Sequence, residues 1–401
     1  MTESASETKI LLPLIVLSVA QLIGWGAVSF PAVVSRDMAA DLNVDMSTVF
    51  VGTTVFYVTM GACAPFLSRL FTSVGARPVM IGGTIMSALG LVLVSLSHSP
   101  ITYFLGWLVL GAAGSASLTT PAHILLNEIA GRNAARAIAS LALVSGLFGT
   151  VFWPLTSFLS AEIGWRGTCE IYAAVMIRVC LPLYIFGLPR RSKGAAPIKA
   201  TTSQGSARSY DRTFYLIVAA IALNAFITFG FSSILIELLK AEGLNPAQAL
   251  GYGSALGIVQ ICARGLNIIT EKRWDGVTIG VASSVILCGS LVILVMAQGS
   301  ATAVAIFLVL YGISSGALAV ARSTIPLVFY DKGEFAKALS RIALPLNWIS
   351  AISPPVLISL MTSLGSRAVL ILCLVCSCSA IFVQLLLRGR RPMSEAVAGA
   401  S

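Results

Sequence analysis

Gln21 and Trp25 stand four residues apart in the apolar stretch QLIGWGAVSFP, so on a helix they share one face. An amide that donates and accepts, next to an indole that stacks, is the equipment for holding a small polar molecule. Similar groups recur inside other apolar stretches. Thr119, Thr120 and His123 surround Pro121, Trp153 precedes Pro154, and Asn224 stands near Phe226. Gln260 follows, then the pair Asn347 and Trp348. Buried amides need partners, so each residue reads either as a tie between helices or as part of a wet cavity. Aromatic plates with neutral amides suit a flat, uncharged heterocycle better than a strongly anionic metabolite. His123 reads as a proton shuttle or as a hydrogen-bonded structural residue beside a proline kink.

Charge at depth is scarce. All 16 acids fall in tails, loops or the last turn of an apolar run; Glu128, Glu170 and Glu237 come nearest to the interior. Arg178 is the one basic residue placed near the middle of a run, where it should face protein or water, or snorkel. Arg264 and Arg322 sit nearer run ends and read as inner-gate or headgroup contacts. Of eight cysteines, Cys373, Cys376 and Cys378 form C-x2-C-x-C, but inside an apolar run where Cys behaves as a small hydrophobe. Cys169 reads as the near-surface thiol. No metal site and no cofactor are expected. Two distant histidines, no paired acids and no phosphate loop argue against an enzyme or a primary pump.

The elements that must position these residues follow from composition. The chain has 401 residues, 57% hydrophobic and only 10% charged, against about 25% charged in a soluble domain. With a mean hydropathy of +0.92, it lacks the polar surface to cover a water-soluble globule. Disorder is excluded by the same numbers. About twelve runs reach the ~20 residues a bilayer helix needs: 10–35, 47–68, 78–97, 101–127, 136–160, 168–188, 213–236, 248–269, 277–297, 301–327, 337–361 and 367–387. None alternates with period two, so a β-barrel is not expected. The first run reads as a retained span rather than a signal peptide.

Placing the N-terminus inside leaves only Arg36, Arg166, Lys240 and Arg367 in outer loops and Arg178 within a span; the other 21 of 26 basic residues lie inside. The net charge of +10 is thus a consequence of topology, and nucleic acid is not expected as a partner. The stretch 189–212, PRRSKGAAPIKATTSQGSARSYDR, reads as a cytoplasmic linker between six-helix bundles at 1–188 and 213–401, the second with a short cytoplasmic tail. At an offset of 201, Gly111 matches Gly312, Pro154 matches Pro355, Gly164 matches Gly365 and Arg166 matches Arg367, with Trp25 set against Phe226. The halves read as a duplication. The expected fold is all-α and membrane-integral, with twelve helices in two six-helix pseudo-repeats.

Over nearly its whole length the chain resembles the major facilitator superfamily. The family's loop signature, roughly P-x-x-G-x-L-x-D-R-x-G-R-R, is met by PFLSRLFTSVGARP, where Pro65, Leu70, Gly75 and Arg77 fit. Ser68 replaces a glycine and Thr72 the acidic residue, while Trp107 stands where many members carry an arginine tied to proton coupling. The resemblance implies alternating access around a midplane site, with Pro65, Gly75, Arg77, Arg264 and Arg322 in gating roles. The phrases FWPLTSFLSAEIGWRG (152–167) and YGISSGALAVARSTIPL (311–327) resemble a bacterial branch that holds riboflavin importers and trivalent-arsenic exporters. That implies a monomer in the inner membrane, both termini cytoplasmic, with a small-molecule substrate and the lipid bilayer as its only partners. The expected cargo is riboflavin or a similar flat heterocycle, taken up. Efflux of arsenite or antimonite, using Cys63 and Cys262, is the alternative.

Overall fold

The computed structural model describes residues 2–189, 209–241, 243–270, 274–296 and 300–391; most of the 189–212 connector and the end of the tail lie outside them. The elements are α1 (Thr2–Val28), α2 (Pro31–Leu42), α3 (Met46–Val74), α4 (Ala76–Ser95), α5 (Pro100–Ser117), α6 (Thr119–Ala130), α7 (Ala134–Ser145), α8 (Phe148–Val175) and α9 (Leu181–Gly187). After the connector come α10 (Ser209–Ala241), α11 (Pro246–Thr270), α12 (Gly276–Met296), α13 (Ala301–Phe329), α14 (Lys332–Leu364) and α15 (Ser366–Arg388). No strand occurs among the described residues.

Ten stretches of described residues are long and apolar enough to cross a bilayer. The longest, Ala134–Gly187, is 54 residues and breaks at Gly164, which divides it into two crossings. Cut at Gly164 and counted with α11, these stretches make twelve long helical segments among the described residues, the number expected from the sequence. Several crossings are built from two helices each. Pro31 has no N–H to carry α1 onward, so the first crossing breaks at Ser29 and Phe30 before α2 begins. The fourth breaks at Leu118, between α5 and α6.

Local sequence explains the corners. Ser99 caps α5 by accepting from the Thr102 N–H while Pro100 occupies the first turn, and Ser300, 201 residues on, caps α13 through the Ala303 N–H. Gly164 and Gly365 turn the chain at φ 73° and 84°, conformations that L side chains rarely adopt. Gly111 on α5 and Gly312 on α13 are close-approach sites. A Cβ at Gly111 would fall 2.6 Å from the Phe56 carbonyl oxygen on α3, and one at Gly312 2.6 Å from Val259 on α11. Matching helix pairs thus meet at matching small residues, as close packing in lipid requires. The duplication is therefore visible in turns, caps and contacts.

The described chain divides into two compact units, Met1–Ala200 with Lys332–Ala351, and Thr201–Asp331 with Ile352–Ser401. The first has an aromatic core in which the Trp107 ring stacks on Phe30 at 5.8 Å and meets Phe56 edge-on at 6.2 Å. In the second, Phe231 (the counterpart of Phe30) packs with Phe307 and Tyr311. The outward faces stay apolar: Phe186 is 84% and Ile101 74% exposed. On a water-soluble protein such surface would aggregate; on a bilayer protein it meets acyl chains.

One sequence expectation changes here. Cys169 is fully buried and not near-surface, because beyond the Gly164 kink α8 turns the stripe Trp165, Thr168, Cys169 and Tyr172 inward. Arg178 is exposed, one of the placements expected of it. It lies in a single π-helical turn, Met176–Cys180, whose extra residue changes the phase of the helix face.

Candidate functional site

In the first unit, Gln21 and Trp25 do share one face of α1, and both meet the break in the fourth crossing. The Gln21 Nε2 donates to the Ser117 carbonyl at 2.8 Å, and the Trp25 Nε1 donates to the Thr119 hydroxyl at 3.2 Å. Proline at 121 offers no N–H to Ser117, so the carbonyl that Gln21 satisfies is one the helix itself cannot. Around the indole stand Tyr57, stacked at 30°, Phe148 at 35° and Phe56 edge-on, each with its centroid at 6.4 Å. Thr120 is half-buried and His123 buried on α6. Trp153 is 48% exposed and outside the aromatic cluster. Asn347 donates to Ala343 of its own helix, and the Trp348 Nε1 donates to the Val58 carbonyl at 3.1 Å.

The loop-signature residues also lie in this unit. Pro65 is inside α3, and Gly75 links α3 to α4 at φ 88°. Arg77 donates through Nε to the Tyr184 carbonyl at 3.2 Å and through Nη2 to that of Ile185. These are C-terminal carbonyls of α9, which lack intrahelical donors, so Arg77 acts here as a helix-end cap. At the other end of α4, Arg166 donates to the Ser95 carbonyl and, at 2.9 Å, to the Asp41 carboxylate, which also accepts from the Trp165 Nε1.

The second unit carries a polar seam. Gln260 and Arg264 are four residues apart on α11, with Asn267 three further. Gln260 donates to the Ser315 hydroxyl at 3.0 Å, and Asn267 to the Ala317 carbonyl at 3.5 Å, both on α13. Asn224 is buried on α10; it donates to Ala220 and accepts from the Ser284 hydroxyl at 3.1 Å. Phe226 packs against the unit's apolar core. Arg322, half-buried on α13, lays its guanidinium 4.9 Å from the Phe229 ring centre and makes no ion pair among the described residues. Arg264 lies on α11, which packs against α13 where Gly316 meets Gln260 and Ala263. Arg264, Gln260 and Asn224 therefore fall in one unit with Arg322, apart from the Gln21–Trp25 cluster.

Sequence reasoning passed over Asn267, Phe229 and Gln384. Asn267 repeats the helical spacing of Gln260 and Arg264 and was findable by that periodicity. Gln384 is a lone amide in the apolar run AIFVQLLL, a signal overlooked because the twelfth span is not of the family's cavity-lining class. No group of three or more His, Cys, Asp or Glu able to hold a metal occurs among the described residues.

Residues 14–307 match the sequence model of the family described as Major Facilitator Superfamily. The chain belongs to the Major Facilitator Superfamily. A chain of this family with these long apolar helices is a multi-pass membrane protein. Among solved structures, the superfamily transporter FucP superposes with a TM-score of 0.75 at 14% identity, covering 96% of this chain and 100% of that one. The human organic anion transporter MFSD10 gives 0.70 at 15%, covering 94% and 98%. Among curated relatives, rat monocarboxylate transporter 3 is 25% identical over 260 residues, 62% of this chain and 53% of its own length. Chicken monocarboxylate transporter 4 is 22% identical over 353 residues, 82% and 72%. The chain spans about half the length of the first of these relatives.

Proposed function

We propose that this superfamily member carries a small organic anion, a monocarboxylate, across the membrane by alternating access. The observation that carries the reading is that α11 and α13 bring two arginines into one unit, Arg264 one turn from Gln260 and Arg322 with its guanidinium over the Phe229 ring. Arginines on the packed helices α11 and α13 favour a negatively charged cargo over a neutral one. Relatives named for monocarboxylates support the same chemistry. The reading places the two six-helix bundles at 1–188 and 213–401, the 189–212 connector and both termini on the cytoplasmic side, and the chain as a monomer in a bacterial inner membrane; the Lys and Arg bias supports that orientation. In this reading Gln260 and Asn267 brace the α11 face that presents Arg264, and Gln21 and Trp25 hold the bend of the fourth crossing.

A second reading, uptake of riboflavin or another flat heterocycle, is favoured by one observation: the ring cluster of Trp25, Tyr57 and Phe148. One experiment separates them. Purified protein in liposomes is offered labelled lactate, labelled riboflavin or arsenite under matched conditions. Saturable lactate flux, competed by other monocarboxylates and not by riboflavin, is the result expected. Riboflavin or arsenite flux without lactate flux overturns the proposal.

A further inference from the structure

Cys288 on α12 and Cys378 on α15 bring their sulfurs to 3.7 Å of each other, and both helices belong to the second unit. The last cysteine of the C-x2-C-x-C run thus meets a sulfur on another helix. Three contacts hold the two helices in register. Arg391 donates to the Asp275 carboxylate at 2.9 Å, and the Ser377 hydroxyl donates to the Ser284 carbonyl at 3.5 Å. Gly280 makes room for Gln384, whose buried amide has no hydrogen-bond partner among the described residues. Each cysteine stands at least about 12 Å from either end of its helix, at 1.5 Å per residue. Cys378 is exposed and Cys288 half-buried. The residues three before and four after each sulfur, Val285 and Val292 on α12 and Val375 and Phe382 on α15, are exposed apolar side chains. The pair therefore opens on acyl chains and not on water.

Two thiols in contact at that depth are restricted in what they can do. Thiol–disulfide exchange proceeds through a thiolate, and a bare charge in hydrocarbon is costly. Removal of a hydrogen atom moves no net charge. We infer that Cys288 and Cys378 form a hydrogen-donating dithiol that traps uncharged lipid peroxyl radicals and closes to a disulfide between α12 and α15. One peroxyl radical breaks the Cys378 S–H bond, takes its hydrogen atom and becomes a hydroperoxide with a new O–H bond, leaving a sulfur-centred radical. A second peroxyl radical does the same at Cys288, and the two unpaired electrons form the S–S bond. Each thiol loses one electron with one proton, and each peroxyl radical gains them. A lone sulfur radical would take hydrogen back from an acyl chain; a second sulfur in contact gives it a different end. Closure shortens the sulfur separation from 3.7 Å to about 2.05 Å, a move shared between two side chains. Because the cross-link joins helices of one unit, the inference is independent of the cargo.

The test uses the full chain in liposomes of polyunsaturated phosphatidylcholine, with peroxyl radicals generated under air by a lipid-soluble azo initiator. Remaining thiols are alkylated in denaturant and located by peptide mass spectrometry. Cys288 and Cys378 are expected to vanish together as one cross-linked peptide pair. Their loss should run at least about fivefold faster than that of Cys262, which is exposed on α11 without a second sulfur in contact among the described residues. Dithiothreitol in denaturant should restore both thiols. Oxidised glutathione added outside intact liposomes should leave both untouched, since it stays in water. Cys288→Ser and Cys378→Ser should each remove the cross-link and slow the loss of the remaining thiol to about the Cys262 rate. A pair that stays reduced, that is lost without a cross-link, or that reacts with oxidised glutathione in intact liposomes overturns the inference. So does a remaining thiol in either variant that is consumed as fast as in the wild-type chain. The readout is thiol state and not flux, so failure here leaves monocarboxylate transport standing.

Discussion

Gln21 stands in for the backbone donor that Pro121 lacks: its side-chain N–H reaches the Ser117 carbonyl, four residues before the proline, at 2.8 Å. The break in the fourth crossing is thus satisfied by the first crossing, and the same face of α1 adds the Trp25 bond to Thr119. In lipid no water is at hand to replace such a donor. Gln21→Leu is expected to lower stability by about 1–2 kcal/mol. In a Pro121→Ala background, where residue 121 regains an N–H, the same substitution should cost less. Thermal unfolding of the four proteins in detergent measures this coupling, and strict additivity would argue that the two residues act independently.

Arg77 and Arg166 hold opposite ends of α4. Arg77 stands in its first turn and caps α9, while Arg166 reaches the carbonyl of Ser95, its last residue. At about 1.5 Å per residue, the 20 residues of α4 span roughly the hydrocarbon thickness, so the clamps lie at the two interfaces. Hydrogen exchange should therefore rise locally and separately. Arg166→Gln is expected to loosen the end of α4 near Ser95, and Arg77→Gln its start together with α9. Exchange that rises equally across the unit for both variants would contradict separate clamps.

Gly164 and Gly365 have open space where a Cβ would go, so only backbone conformation opposes a side chain there. Each replacement by alanine is expected to cost about 1–3 kcal/mol. Gly82, also in open space but on a regular helix, is the control; Gly82→Ala should be neutral or stabilising by about 0.5–1 kcal/mol. Unfolding midpoints of the three variants decide whether strain or packing rules these corners.

Much of the architecture was legible before any coordinates. Long apolar runs force helices in a bilayer, and the recurrence of Gly164 at Gly365 marks a repeated corner because glycine alone turns there at no steric cost. The shared face of Gln21 and Trp25 followed from spacing. Their partners did not, since the Ser117 carbonyl becomes an acceptor only when two distant crossings dock at a proline break. The burial of Cys169 escapes the sequence for a related reason: the Gly164 kink shifts the phase of the helix, and periodicity read along the sequence assumes that phase is constant. Gln384 was visible as a letter, but its unmet amide is a property of the packed α10, α13 and α15.

The central claim is that Arg264 and Arg322 receive a negatively charged cargo. Labelled lactate counterflow in liposomes, for the wild-type protein and for Arg264→Gln and Arg322→Gln at matched folded amounts, tests it most directly. The account predicts robust exchange by the wild-type chain and a loss of about tenfold or more in each variant, consistent with an ionic hydrogen bond of about 1.5–3 kcal/mol. Exchange undiminished by either substitution, or a wild-type protein that carries riboflavin but no carboxylate, would contradict it.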